Sequence, residues 1–252
     1  MKILITGLSG YIGKDLKKYI GKKNYIKSIS RYKKINENNI QYIKGDLNNI
    51  NLIRNKIISF NPDVVIYLAW YKINKLNLEN SKKNYLICKN FFELIFNFTN
   101  CKKIIITGSC LEYKKKNGPC KENSQLNNEL VFAKYKNKIL KYVKYKCRKN
   151  KIAFFWFRLF YVIGPNQRST SLIPTIIDQL KNKKKLNIKN PHIFNDYVSI
   201  EKVSKTIIYC LNHNVPSGIY NIGNGFSVSV EKIISLILKK LKINNYKKTF
   251  GR

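Results

Sequence analysis

The sequence predicts an α/β protein built on a doubly wound parallel sheet, with a small lobe at its carboxyl-terminal end. Apolar runs typical of buried strands alternate with segments of helical periodicity up to Gly164-Pro165. Three glycines separate the first run from the first helical segment, and beyond Gly164-Pro165 short helices alternate with loops rich in Asn, Pro and Gly. We therefore predict a sheet domain over residues 1–165. A lobe over residues 166–252, interleaved with that domain, should cover the carboxyl ends of the strands.

Six strands and seven helices follow from this pattern. The strands are predicted at residues 2–6, 25–30, 40–44, 64–68, 103–107 and 152–158. Helices of the sheet domain are predicted at residues 11–20, 50–60, 85–98 and 130–147. Those of the lobe are predicted at residues 172–180, 199–211 and 230–241. About six such repeats are typical of a fold that binds a dinucleotide.

Charge is the most unusual bulk property, because 49 Lys and Arg oppose 13 Asp and Glu and give a formal net charge of +36. This balance attracts polyanions. However, the lysines are spread along the whole chain among Asn and Ile, and few basic residues are arginine, which bidentate phosphate recognition favours. No block of like charge forms a nucleic-acid-binding arm. We interpret the excess as a solvated, compositionally drifted surface and expect no nucleic-acid partner; a functional polyanion patch is the alternative.

The cysteines, the histidines and the hydropathy of the chain argue against disulfides, a metal site and a membrane segment. The six cysteines form no Cys-x-x-Cys pair, and the two histidines have no neighbouring ligands, which predicts reduced thiols and no metal site. The apolar opening is broken by glycine too early for a signal peptide. The longest apolar stretch, residues 152–164, is too short to span a membrane. A cytoplasmic protein without a membrane segment is expected.

Residues 7–13 read GLSGYIG and lie between the first predicted strand and helix. Gly7 permits a tight turn, Gly10 allows the backbone to approach a pyrophosphate, and Gly13 permits close packing of the helix. The helix N-terminus offers free N–H groups to the anion. This pattern predicts a dinucleotide site, although the spacing is one residue wider than the most familiar fingerprint. The alternative is that the glycines only turn the chain.

The end of the second strand indicates which dinucleotide binds. An acidic residue there would bind a ribose 2′-hydroxyl, whereas a basic residue would accept a 2′-phosphate. The chain has Arg31, followed by Lys33 and Lys34, and no acid. NADP(H) is therefore favoured over NAD(H), and Arg31 carries most of that inference because lysine is common everywhere in this chain.

Several further stretches complete a family pattern. They are GDL at 45–47, NPDVVIYLAW at 61–70, GSCLEY at 108–113, RLFYVIGP at 158–165, NDYVSIEKVS at 195–204 and GIYNIGNG at 218–225. In this order, with the glycine turn, they resemble the extended short-chain dehydrogenases/reductases of the NAD-dependent epimerase/dehydratase family. The resemblance covers nearly the whole chain. It implies a Rossmann-like fold that binds NAD(P) and a nucleotide-sugar substrate, and it suggests a homodimer.

The resemblance assigns roles to individual residues. Asp46 would contact the adenine, Ser109 would hydrogen-bond the reacting sugar oxygen, and Lys136 would bind the nicotinamide ribose. The further coenzyme-binding residues are Tyr11, Ile12, Leu47, Leu68 and Ala69, and the substrate-binding residues are Asn84, Arg158 and Tyr161. Other interpretations stay open, because Asp46 is also a plausible cap, Ser109 a plain strand-end hydroxyl, and Lys136 one lysine among many.

The position of the family's catalytic tyrosine is occupied by Phe132, four residues before Lys136. Phenylalanine cannot transfer a proton, and general acid–base catalysis contributes about 10²–10⁴-fold. Tyr135, at i+3 on roughly the same helical face, or Tyr113 would have to serve as a substitute. The chain is therefore either an enzyme with an unusual proton source or a catalytically impaired relative.

The strand-end motif narrows the expected reaction. Sugar-nucleotide 4,6-dehydratases carry an Asp-Glu pair directly after the strand-end hydroxyl residue, and Cys110-Leu111 stand there instead. We therefore expect a 4-keto-sugar reductase or a C4 epimerase that supplies polysaccharide precursors. The alternatives are a non-catalytic binder and a polyanion-binding protein on the same fold. Family members continue for some tens of residues past residue 252, so an abbreviated lobe or a truncated sequence is expected.

Overall fold

A seven-stranded, wholly parallel sheet organises the computed structural model, which describes residues 1–32, 34–37, 39–114, 118–186, 188 and 190–243. The strands of the protein are β1 (Lys2–Thr6), β2 (Tyr25–Ser30), β3 (Ile40–Lys44), β4 (Val64–Tyr67), β5 (Lys103–Ser109), β6 (Ala153–Leu159), β7 (Tyr161–Ile163), β8 (Phe194–Asn195), β9 (Tyr197–Ser199), β10 (Gly218–Ile222) and β11 (Val228–Ser229). The order in the main sheet is β10-β6-β5-β4-β1-β2-β3. This order confirms the predicted doubly wound fold.

The helices connect and cover these strands. They are α1 (Tyr11–Leu16), α2 (Arg54–Phe60), α3 (Leu78–Phe98), α4 (Val131–Lys149), α5 (Leu172–Lys181), α6 (Ile200–Asn212) and α7 (Val230–Lys240). Two short pairs lie outside the main sheet: β7 with β9, parallel, and β8 with β11, antiparallel. Among the described residues, no helix combines the length and the apolar character that crossing a bilayer would require.

The six predicted strands are confirmed, three at the predicted bounds and three within two residues of them. Helix bounds differ more. The predicted helix 11–20 ends at Leu16, and the predicted helix 50–60 begins only at Arg54, after a 3₁₀ segment kinked at Asn49. The predicted helix 85–98 begins earlier, at Leu78, because the Asn77 side chain accepts a hydrogen bond from the Asn80 N–H and caps it.

Two apolar cores lie on the two faces of the sheet. On one face α2, α3 and α4 bury the side chains of β4, β5 and β6, with Phe91, Phe92 and Trp156 fully buried. On the other face α1 and α6 pack together over β1. Because the central strands are covered on both sides, they read as continuous apolar runs.

The segment after residue 165 returns to the main sheet. The strand β10 pairs in parallel with β6, from Gly218 opposite Phe155 to Ile222 opposite Leu159, and α6 belongs to the core beneath β1. Within the described part of the lobe, α5 and α7 form a small core of their own, through Ile176, Leu180, Ile234 and Leu238. The boundary at residue 165 stays a prediction, and the lobe is interleaved with the sheet domain.

Candidate active site

The glycine turn lies between β1 and α1, against the end of β4. Gly7 has a φ of +75°, and a Cβ there would lie 2.9 Å from the Ala69 nitrogen. The Gly10 N–H donates to the Gly7 carbonyl at 2.9 Å, which closes the turn. A Cβ on Gly13 would overlap the backbone of Leu8. The turn therefore leaves no room for a side chain at Gly7 or Gly13. The first N–H groups of α1 stay open, which fits a pyrophosphate.

Replacing Gly13 by Ala tests that fit. The added methyl group meets the Leu8 backbone, so we expect a loss of about 1–3 kcal/mol in the free energy of unfolding. Binding of NAD(P) should fall at least tenfold, because the turn has to shift. Gly21→Ala is the matched control, since its nearest neighbour would lie 3.8 Å away. Calorimetric titration and denaturant unfolding measure both effects, and equal behaviour of the two variants would contradict the assignment.

The loop after β4 is held by α3. Asn84 is 4% exposed; its Oδ1 accepts from the Tyr71 N–H at 2.7 Å, and its Nδ2 donates to the Tyr71 carbonyl at 2.9 Å. The Ala69 N–H donates to the Thr6 hydroxyl at 3.3 Å. These contacts fix the loop that carries Trp70. Asn84 thus holds the Tyr71 backbone from the protein interior, and its predicted contact with the substrate stays a prediction.

Lys136 of α4 reaches the end of β5. It is 8% exposed, and its Nζ donates to the Thr107 carbonyl at 2.7 Å. The same Nζ lies 4.3 Å from the centroid of the Trp70 ring and 5.5 Å from that of Trp156. Burial lowers the pKa of Lys136 to about 8, although the nearby Glu112 carboxylate opposes this shift. The structure thus brings Lys136 to the strand end that carries Ser109.

Phe132 lies one helical turn before Lys136 and is 3% exposed. Its ring meets the Trp70 ring edge to face, with the centroids 5.1 Å apart. Tyr135 points elsewhere: its ring packs against Tyr85 of α3 at 6.2 Å. The predicted use of Tyr135 as a substitute proton donor stays a prediction, and this packing does not favour it.

Tyr113, the other candidate donor, is engaged in the interior. It is 4% exposed, and its hydroxyl donates to Asn221 Oδ1 of β10 at 2.6 Å. The Arg158 guanidinium lies 4.4 Å from its ring centroid. Burial raises the pKa of Tyr113, although the neighbouring Arg158 opposes this shift. These contacts give Tyr113 a structural role between the 3₁₀ turn after β5 and the edge strand.

Ser109 ends β5 and begins the 3₁₀ segment Cys110–Glu112. Its hydroxyl accepts from the Leu111 N–H at 3.2 Å, and its own N–H donates to Glu112 Oε1 at 2.8 Å. This is a capping box, which fixes the serine at the strand end. Ser109 is partly exposed there. The hydroxyl therefore sits at the edge where the resemblance predicts a reacting sugar oxygen.

Arg158 of β6 lies in the interior. The side chain is 1% exposed and its Nε donates to Glu112 Oε2 at 2.8 Å, and its predicted contact with the substrate stays a prediction. Its Nη1 donates to the Glu122 carbonyl at 2.9 Å. Glu112 is itself fully buried and also accepts from the Trp156 indole N–H. Sequence reasoning missed this pair; the signal was an arginine inside an apolar strand, since a buried charge requires an opposite one.

The residues predicted at the adenine end have local contacts. Asp46 Oδ1 accepts from the Asn48 N–H at 2.9 Å and caps the 3₁₀ segment Leu47–Ile53. The cap interpretation of Asp46 is therefore confirmed, and its adenine contact stays a prediction. Arg31 is exposed just after β2, and its contact with a ribose phosphate stays a prediction. Of the lysines behind it, Lys34 is exposed and Lys33 lies outside the described residues.

The remaining predicted residues flank the turn and the lobe. Tyr11 begins α1; burial raises its pKa to about 12, and its buried hydroxyl has no hydrogen-bond partner among the described residues. Ile12 and Leu68 pack against the core beneath β1, and Leu47 against the opposite core. Tyr161 is 41% exposed and lies 5.9 Å, between ring centroids, from Tyr197.

Comparison with known proteins agrees with this geometry. The model of the NAD dependent epimerase/dehydratase family matches residues 3–223. The chain is 26% identical over 271 residues to a dTDP-D-glucose 4,6-dehydratase of Dictyostelium discoideum, covering 93% of this chain and 62% of that protein. It is 25% identical over 265 residues to the dTDP-4-dehydro-6-deoxyglucose reductase of Escherichia coli, covering 95% and 81% of the two chains.

A solved structure has the same fold. It is a tyrosine-to-phenylalanine variant of the UDP-glucuronic acid 4-epimerase from Bacillus cereus, in complex with UDP-4-deoxy-4-fluoro-glucuronic acid and NAD. The TM-score is 0.85 at 21% identity, and the match covers 100% of this chain and 86% of that one. At this identity the likeness concerns the fold alone.

Proposed function

The chain belongs to the NAD dependent epimerase/dehydratase family, and on that premise we propose that it binds a nicotinamide dinucleotide and a nucleotide sugar and acts at C4 of the sugar. The reaction would be reduction of a 4-keto sugar or C4 epimerisation, in the supply of polysaccharide precursors. One observation carries the proposal: the glycine turn after β1 and Ser109 at the end of β5 lie at the carboxyl edge of one parallel sheet, and Lys136 reaches the same end of β5 through the Thr107 carbonyl. Ligands of open α/β sheets bind at this edge.

The chain's own residues divide the task. The glycine turn holds the pyrophosphate, Arg31 reaches the adenine ribose, and Ser109 orients the reacting oxygen of the sugar. A nicotinamide dinucleotide supplies reversible two-electron chemistry at the sugar carbon when it is bound. Lys136 stands beside the strand end as a cation, while Phe132 offers no proton. We therefore propose that proton transfer limits turnover in this protein.

Dehydration is disfavoured, although the Dictyostelium relative is a dehydratase. Cys110 and Leu111 occupy the two positions where the resemblance expects carboxylates. The nearest acid, Glu112, is fully buried and paired with Arg158, so its carboxylate is not accessible to a substrate at the edge. We expect no dehydrated product from nucleotide-linked hexoses.

A second candidate is a relative that binds both ligands without turnover. The packing of Phe132 against Trp70 favours it, because the apolar ring is already complemented by a neighbour in the protein. The structure of the Bacillus cereus protein supports the idea that both ligands can bind after a tyrosine is replaced by phenylalanine, since that variant is in complex with NAD and a nucleotide sugar. Equal, negligible turnover of the protein and of a Phe132→Tyr variant, with ligand binding retained in both, would identify this candidate.

The coenzyme tests the proposal directly. We expect NADPH to bind more tightly than NADH, because Arg31 is exposed at the end of β2 and no acid stands beside it. Arg31→Gln should weaken NADPH about tenfold, as expected for one charge-assisted contact, and leave NADH unchanged. Dissociation constants follow from nicotinamide fluorescence.

The control for this experiment is Arg54→Gln. Arg54 is a partly exposed arginine whose guanidinium lies 4.0 Å from the Phe98 ring centroid, where α2 meets α3. It should leave both coenzymes unaffected. Equal binding of NADH and NADPH would remove the proposed preference. Binding of neither would remove the proposed function itself.

A further inference from the structure

Glu112 is a fully buried carboxylate with four hydrogen bonds. Its Oε2 accepts from Arg158 Nε at 2.8 Å and from Trp156 Nε1 at 2.9 Å. Its Oε1 accepts from the Ser109 N–H at 2.8 Å and from the same indole at 3.1 Å. Charge-assisted bonds of this kind are strong and directional. The carboxylate therefore ties the 3₁₀ turn after β5 to β6.

Lys136 also binds the carboxyl end of β5. Its Nζ donates to the Thr107 carbonyl at 2.7 Å, and the Trp156 ring that serves Glu112 lies 5.5 Å away. Gly108 lies between the two contacts, and a Cβ there would overlap both the Trp156 indole and the Glu112 carboxylate. The peptide groups on either side of Gly108 are thus held by an anion and a cation.

The buried charges that the structure describes around this strand end comprise one anion and two cations, so they cannot all form ion pairs. Glu112 and two cations, Arg158 and Lys136, are buried within this part of the described structure, and Arg158 takes the direct ion pair. The other groups around Lys136 are the Thr107 carbonyl, the rings of Trp70 and Trp156, and the Cys88 thiol of α3. Burial raises the pKa of Cys88 to about 12, so it is uncharged near neutral pH. Glu112 is then the anion that favours the charged form of Lys136.

We propose that Glu112 is a positioning residue of the candidate active site: its carboxylate fixes the Ser109 peptide group, and it supplies the negative charge of the buried cluster in which Lys136 holds the Thr107 carbonyl. The proposal rests on the proposed function, in which Ser109 and Lys136 contact the ligands. Glu112 itself touches neither ligand, because it is fully buried. Glu112 therefore affects ligand binding indirectly, through Ser109 and Lys136.

Glu112→Gln tests the charge with little change of shape, because the amide oxygen still accepts from the Ser109 N–H. Lys136 is titrated by the ¹³Cε chemical shift of its side chain, assigned by comparison with Lys136→Met. From the wild-type pKa of about 8, we expect a fall of about one unit or more in Glu112→Gln, the effect of losing a nearby opposite charge. Binding of NADPH should then decline at a correspondingly lower pH.

Glu93→Gln is the matched control. It removes the carboxylate of a partly exposed ion pair between Glu93 of α3 and Lys146 of α4, and it should leave the Lys136 titration unchanged. An unchanged pKa in Glu112→Gln overturns the proposal. Should that variant fail to fold, the wild-type titration decides: a Lys136 that is already neutral at pH 7 overturns it, and one that is charged there supports it. This titration needs no ligand, so a failure to bind coenzyme would count against the proposed function alone.

Discussion

Replacing Phe132 by tyrosine should raise turnover of nucleotide-linked 4-keto sugars by about 10²–10⁴-fold, the range that one positioned proton donor contributes. Phe132 lies one turn before Lys136, so the new hydroxyl would project beside a cation that favours the phenolate. The ring already lies in a close aromatic contact with Trp70. Only the hydroxyl is added, and the packing around the ring is retained.

Initial rates of NADPH oxidation measure this prediction, with circular dichroism as the check on folding. Tyr135→Phe is the control, because Tyr135 packs against Tyr85 of α3 and should not contribute. In the Phe132→Tyr background this control should leave the rate unchanged. If the wild-type protein is already as fast as Phe132→Tyr, the proton comes from another group, and a loss of rate in Tyr135→Phe alone would identify it.

The central strands were predictable because of their burial. β1, β4 and β5 are covered on both faces, so each reads as an uninterrupted apolar run. β10 escaped prediction as a strand because it is an edge strand with the sequence Gly-Ile-Tyr-Asn-Ile, four residues of which are only partly buried. Its pairing with β6 depends on residues about sixty positions apart, and no local pattern encodes such a contact.

The edge of the sheet was predictable for a related reason. Once the parallel strands are predicted, their carboxyl ends are also known. The glycine turn and Ser109 could therefore be predicted to lie at the same edge of the sheet. The support beneath that edge could not be found in this way. Glu112 and Arg158 are 46 residues apart, and each has a plausible local role as a turn acid or a ligand-binding base. Only the tertiary structure pairs them.

Replacing Arg158 by Met should lower the free energy of unfolding by about 3–5 kcal/mol, the cost of leaving one member of a buried ion pair without its partner. Glu112 and Arg158 are 0% and 1% exposed, so water cannot compensate the carboxylate. The Ser109 N–H and the Trp156 indole would still donate to it. These neutral donors do not replace a full positive charge.

Denaturant unfolding at neutral pH measures this loss, and Lys146→Met provides the scale. Lys146 and Glu93 form a partly exposed ion pair at 3.3 Å, whose removal should cost at most about 1 kcal/mol. The double variant Glu112→Gln/Arg158→Met should regain most of the stability, because it removes both charges and keeps an acceptor for the Ser109 N–H. If Arg158→Met lowers the free energy of unfolding no more than Lys146→Met does, burial does not strengthen the ion pair between Glu112 and Arg158. The support assigned to Glu112 beneath Ser109 would then lose its physical basis.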